Sequence, residues 1–254
     1  MACYRLSQKH MKIIAIANQK GGTAKTTTTA ALAVLLARGG TPTHLVDMDP
    51  QASLTQAFGL KDETDGLYHA LTDRTGLPVK TVSRNLTLTP STVELGRTET
   101  ELLSETGREF FLRTSLEKTP LPESSVLLLD CPPSLGVLSV NCLATAGGMI
   151  AVIQPGGFEL HALAHLHFTV QAIRERVNPD LHILGAIITN AHRRRKITEQ
   201  VRLEVGRVYP LLGTIRADAR LLYATTAGAI QHLTRSKALD DYAAVVDELC
   251  PVLP

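Results

Sequence analysis

The sequence predicts an α/β fold: one domain built on a mostly parallel, doubly wound sheet flanked by helices. Two observations carry that expectation. Short aliphatic runs, each the length of a buried strand, alternate with stretches of helical period, the pattern of strands covered by helices on both faces. The first of these runs, Lys12–Ala17, also passes through a glycine-containing loop straight into a helical stretch, which begins a strand–helix–strand unit.

After that strand, Lys25–Arg38 reads as a helix with Leu32, Leu35 and Leu36 on one face, and Gly39-Gly40 supplies its stop signal. Further strands are expected at His44–Asp47, Leu86–Thr89, Ser125–Asp130, Met149–Gln154, His182–Thr189 and Leu211–Ile215. Helices fit Leu135–Thr145, Phe158–Val177, Thr198–Val208 and Asp240–Leu249, the last preceded by Ser236 as a cap. Gly59 to Pro122 mixes turn residues with short helical pieces and is the least regular stretch. The folded domain is expected to span residues 12–254, with residues 1–11 as a loose polar extension.

Composition narrows the function. The chain has 254 residues, 44% hydrophobic and 20% charged, enough for one substantial core. A net charge of +2 gives no global basic field, so any nucleic-acid contact must come from a local patch. With only 4% aromatic residues there is no stacking platform for bases. Cys3, Cys131, Cys142 and Cys250 lie far apart without metal-ligand pairing, which suits a reducing compartment such as the cytoplasm. No uninterrupted apolar run is long enough to span a bilayer, so no membrane role is expected.

The chemistry concentrates where the first strand meets the first helix. Loop Asn18–Ala24 brings backbone N–H groups and a helix N-terminus to one anion site. Gly21 and Gly22 permit close backbone approach, Lys25 can reach terminal phosphates, and the Thr26 hydroxyl can ligate Mg²⁺. The plainer alternative is a glycine loop joining a strand to a helix, with Lys25 a solvated charge.

As a set, four ordered segments resemble the ParA/MinD family of P-loop ATPases, closest to partition proteins of the Soj type. They are Lys20-Gly21-Gly22-Thr23-Ala24-Lys25-Thr26-Thr27, Val46-Asp47-Met48-Asp49-Pro50-Gln51, Leu128-Leu129-Asp130-Cys131-Pro132-Pro133-Ser134 and Gly185-Ala186-Ile187-Ile188-Thr189-Asn190. The resemblance covers nearly the whole chain from Lys12 onward. It implies ATP and Mg²⁺ as cofactors, with residues 20–27 on the nucleotide. Lys20 would reach across an ATP-dependent homodimer to the partner's phosphates, acting in catalysis with Lys25. Asp49 would orient the attacking water, Thr26 and Asp130 would hold the metal with Asp47 near its outer shell, and Asn190 and Asp218 would border the adenine.

The resemblance also implies non-specific DNA binding through Arg193, Arg194, Arg195 and Lys196, extended by Arg216 and Arg220, and a ParB-like partner that stimulates hydrolysis. Such a protein would act in the cytoplasm on the nucleoid. Gln19 stands where a generic Walker A pattern has its first glycine and Ala24 where it has the glycine before the lysine, so the resemblance is to the deviant form; Ala24 and Arg216, where the family often has proline, are its departures. Ala24 keeps open an alternative, an ATP-gated dimeric positioning switch for another cargo with little turnover. A MinD-like membrane anchor does not fit, because Asp240–Leu249 is acidic rather than basic.

Overall fold

The computed structural model describes residues 12–60, 66–156, 159–191 and 196–252. The extension at residues 1–11 and the basic run at residues 192–195 lie outside the described residues. Strands β1 (Lys12–Ala17), β2 (Thr43–Asp47), β3 (Lys80–Ser83), β4 (Leu86–Thr89), β5 (Val126–Asp130), β6 (Gly148–Ile153), β7 (His182–Ala191) and β8 (Leu211–Arg216) form one sheet. Their order is β3-β4-β2-β5-β1-β6-β7-β8, parallel throughout except for the β3–β4 hairpin at one edge. The doubly wound expectation is met. The chain leaves β1 in both directions across the sheet, and such a reversal of strand order opens a crevice at the carboxyl ends of the central strands.

Helices α1 (Lys25–Arg38), α2 (Ser53–Ala57), α3 (Leu67–Thr72), α4 (Thr98–Glu101), α5 (Phe111–Glu117), α6 (Val137–Thr145), α7 (Glu159–Arg176), α8 (Lys196–Val208), α9 (Ala219–Thr226) and α10 (Lys237–Leu249) cover both faces. Strand alternation divides the core in two. Ile14, Ile16, Leu45 and Leu128 pack with Leu32, Val34, Leu239 and Tyr242, while Ala15, Val46, Leu127 and Leu129 pack with Leu112, Leu138 and Leu166. Helix α1 is enclosed nearly all round, its buried positions running from Lys25 to Ala37, so the single apolar face read from its leucines is too narrow. It ends as its glycines predict: Gly40 takes φ 93°, its N–H bonds Ala37 O at 3.1 Å, and the Thr41 N–H bonds Leu36 O at 3.1 Å.

Most expected elements appear within a residue or two. Helix α6 begins at Val137 rather than Leu135, and α10 starts at Lys237 because Ser236 Oγ accepts from Leu239 N–H at 3.1 Å, a cap that extends the helix toward its N-terminus. Strand β3 and helices α2 to α5 and α9 had no periodic signal, being short or exposed.

One core group has a measurable cost. His44, 1% exposed, bridges β2 to β4 with Nδ1 2.8 Å from Thr87 Oγ1 and Nε2 3.0 Å from Thr89 Oγ1. Burial lowers its pKa from 6.5 to about 4. The native state therefore binds this proton less readily than the unfolded chain does. Its contribution is complete above the unfolded value and is lost as pH falls through about 4. A His44→Gln variant is expected to lack this acid-linked loss, roughly 3 kcal/mol, when urea unfolding of both proteins is compared at pH 7 and pH 4.

Candidate functional site

The loop between β1 and α1 is pinned to the sheet by side chains on either side of it. Asn18, buried, donates from Nδ2 to Val152 O at 2.6 Å and accepts the Lys20 N–H on Oδ1 at 3.1 Å. Thr189 at the end of β7 donates to Thr23 O at 2.8 Å, and Lys25 Nζ donates to Lys20 O at 3.3 Å. Gly22 (φ 73°) and Ala24 (φ 67°) both take the left-handed conformation that curls the loop. Ala24 provides no side-chain cap for α1. The first bond within the helix runs from Thr28 N–H to Ala24 O, which leaves the amides of residues 25–27 without an acceptor in the helix.

Beneath this helix start lie two buried carboxylates. Asp47 and Asp130 are register partners at the ends of β2 and β5, 0% and 1% exposed. Asp130 Oδ2 accepts from Thr26 Oγ1 at 2.7 Å and Oδ1 from Thr29 Oγ1 at 3.1 Å. Asp47 turns to its own loop: Oδ2 accepts from Thr55 Oγ1 at 2.7 Å and Thr55 N–H at 2.8 Å, and Oδ1 from the Asp49 N–H at 3.2 Å. Burial raises both carboxyl pKa values, Asp130 further through repulsion from Asp47. Lys25, also buried, is lowered by desolvation while Asp130 opposes the shift. Two desolvated carboxylates with one lysine and a threonine hydroxyl form an oxygen-rich, negatively biased donor set, which a hard divalent cation fits.

The site opens into two adjoining cavities. One of about 390 Å³ is lined by Gly21–Thr27, Asp49, Ser53, Gln56, Pro133, Thr225 and Thr226. The other, about 550 Å³, shares Gly22, Ala24 and Thr27 and adds Gln154, Thr189, Asn190, Asp218, Leu222 and Tyr242. Together they make a trough with a polar, amide-lined end and a more apolar one, as a nucleotide requires. Asn190 borders the apolar end in a left-handed conformation, φ 50°. Asp49 Oδ1 accepts the Gln51 N–H at 2.9 Å, which shapes the loop on the cavity rim.

Residues 11–183 match the family described as AAA domain. The chain is 36% identical to the chromosome partitioning protein ParA of Myxococcus xanthus, over 94% of this chain and 87% of that one. The chain belongs to the ParA/Soj family of chromosome-partitioning ATPases. It is also 35% identical to the sporulation initiation inhibitor protein Soj of Bacillus subtilis, over 78% of this chain and 80% of its relative. Among solved structures, that of cobyrinic acid a,c-diamide synthase from Mycobacterium smegmatis with bound ATP analog and magnesium is similar at a TM-score of 0.81, with 30% identity and 94% coverage of each chain. The M. xanthus relative is more similar at the same coverage of this chain.

Within this ParA/Soj chain the sequence-read residues separate into groups. Gly21 to Thr27 and Asp49 line the first cavity, with Asp130 buried behind Thr26, and Asn190 and Asp218 line the other. Asp218 is also a structural clasp: Oδ1 accepts the Arg220 N–H at 2.8 Å, and Oδ2 accepts from Ser236 Oγ at 2.9 Å, joining the starts of α9 and α10. Among the described cationic residues, Arg216 pairs with Asp241, Nη2 2.7 Å from Oδ1, and bonds Lys237 O at 3.0 Å, a fold-holding contact that leaves its side chain a third exposed. Arg220 instead lines an open cavity with Arg235 and Lys237. Lys196 is exposed at the start of α8, and Arg193, Arg194 and Arg195 lie outside the described residues.

Sequence reasoning missed Thr29, Thr189 and Asn18, whose partners are far along the chain, and Thr55, whose bond to Asp47 depends on how the loop after β2 turns back. It flagged Ala24 as crowding, and the structure locates that burden in the backbone. Left-handed φ costs a non-glycine residue about 1–2 kcal/mol, partly offset by the entropy glycine adds to the unfolded chain. Ala24→Gly is therefore expected to raise the unfolding midpoint by about 1–3 °C in calorimetry.

Proposed function

We propose that this partition ATPase binds ATP with Mg²⁺ in the trough and uses the bound state to assemble on DNA. The observation that supports this most is the convergence of Asp130, Asp47 and Lys25 under the start of α1, whose first amides have no acceptor in the helix. The loop amides and Lys25 hold the phosphates. Thr26 and Asp130 hold Mg²⁺, which supplies charge neutralisation when bound, and Asp47 fixes the Asp49 loop through the Asp49 N–H. Asp49 orients the attacking water and takes up its proton.

In this reading the folded unit is residues 12–254 with residues 1–11 as an extension. ATP closes a homodimer in which Lys20 of each copy reaches the other's nucleotide. Arg193, Arg194, Arg195, Lys196 and Arg220 then contact DNA phosphates without reading bases. A ParB-like partner stimulates hydrolysis and release, and the cycle runs in the cytoplasm on the nucleoid.

The test is binding to a non-specific duplex with ATP, ADP or no nucleotide across a salt series. Binding is expected with ATP alone, at about 10⁻⁴ to 10⁻⁶ M per site and weakening with salt. The double variant Arg194→Ala, Arg195→Ala should lose it on all sequences alike. Equal binding in every nucleotide state, or none at low salt, sinks the reading. A second reading, a gated switch with little turnover, is favoured by the Cβ that Ala24 places in the loop. It predicts that Ala24→Gly speeds single-turnover phosphate release tenfold or more, and an unchanged rate removes it.

A further inference from the structure

The irregular stretch between residues 59 and 122 contains a carboxylate that reaches the loop following Asp130. Glu99, in α4, accepts the Val137 N–H on Oε2 at 2.9 Å, at the first residue of α6. Its Oε1 is buried without a hydrogen-bond partner. The N-cap of α6 is Gly136, which has no side chain to cap with, so a carboxylate 38 positions away does the work at the positive end of that helix. A Cβ at residue 136 would collide with the Glu99 carboxylate, so any larger residue there would push that carboxylate off its present position.

The same segment lies beside the opposite loop. A Cβ at Gly96, in the 3₁₀ turn Val93–Arg97, would stand 3.7 Å from Pro50 Cβ, and Pro50 follows Asp49 directly. Between these contacts Thr98 is 0% exposed and donates to Leu95 O at 2.6 Å. From outside, Arg97 and Tyr68 both bond Glu101, at 3.0 and 2.7 Å. The segment 93–101 is thus a braced strut between the loops that leave β2 and β5, both of which line the phosphate-side cavity.

A carboxylate with one oxygen bonded and the other buried and unpaired is a poor stabilising device, since desolvation offsets much of its gain. We propose that Glu99 is a positioning residue: it latches loop 131–136 to the strut, and through Gly96 and Pro50 makes that loop and the Asp49 loop move together. Its kinetic consequence rests on the ATPase reading above; its mechanical consequence does not.

The experiment uses the full chain and its Glu99→Ala and Glu99→Gln variants. Hydrogen exchange of residues 48–53 and 131–138 is followed without nucleotide and with ADP and Mg²⁺, alongside kcat and KM for ATP. Without nucleotide, exchange at 131–138 is expected to rise at least fivefold in Glu99→Ala. Glu99→Gln, which keeps an acceptor for Val137 but not the charge, should fall between it and wild type. Nucleotide should slow exchange in both segments of wild type and in only one of them in Glu99→Ala. kcat should drop at least fivefold with KM within twofold, and Glu99→Gln should recover part of it.

Exchange at 131–138 within twofold of wild type in both variants overturns the latch. So does raised exchange with unchanged kcat, which would leave Glu99 a helix cap and nothing more. If wild type shows no turnover, the ATPase reading fails while the nucleotide-free exchange still decides the latch. If Glu99→Ala does not fold, the Glu99→Gln comparison with wild type decides it.

Discussion

Asp130→Asn is expected to make the nucleotide-free protein more stable and to abolish Mg²⁺-dependent nucleotide binding. Asp130 is buried beside Asp47, and both effects push its carboxyl above the ordinary range. The folded state then holds the Asp130 proton more tightly than the unfolded chain does. The resulting penalty is absent below the unfolded value and grows as pH rises through the folded one. Asparagine keeps the shape and can still bond Thr26 and Thr29, whose hydroxyls are free to donate or accept. It also removes the charge that partners Lys25, which reduces the benefit. The net gain should be on the order of 2 kcal/mol at pH 8 and should vanish near pH 4. Urea unfolding in a chelator at the two pH values measures it. Adding ADP with Mg²⁺ should then raise the midpoint of wild type by mass action and leave Asp130→Asn unmoved. A variant less stable than wild type at pH 8 would mean that the hydrogen bonds to Thr26 and Thr29 outweigh the burial of charge.

Asp49→Ala is expected to slow phosphate release by roughly 10²-fold or more while nucleotide affinity stays within threefold. Binding should survive because the loop proposed to hold phosphates is pinned by Asn18 and Thr189, neither of which touches Asp49. The rate should fall because Asp49 stands on the cavity rim with its backbone held by Asp47. A single-turnover assay beside an ADP titration separates the two. Unchanged release would take Asp49 out of its assigned role, and a parallel loss of affinity would reduce it to shaping the loop through Gln51.

The alternation of buried strands with helices was legible because it is a local period: Ile14 and Ile16 face one layer and Ala15 and Ala17 the other. The phosphate loop was equally legible, since a strand end, two glycines, a lysine and a threonine fall within a few residues of one another. The stretch from 59 to 122 was not. Its short helices bury only a few side chains each, and its edge strand β3 buries no residue, so no apolar period marks it.

By itself, then, the sequence determined the doubly wound order, the nucleotide-side motif and the identity of the carboxylates at the strand ends, because each is specified by neighbours in the chain. Only the tertiary structure decided which way those carboxylates face. Asp130 meets Thr26 and Thr29 across about a hundred positions, Asp47 turns away to Thr55, and Arg216 pairs with Asp241. Hydrogen bonds of this kind are set by how sheet and helices stack, and burial makes each of them costly to leave unmade.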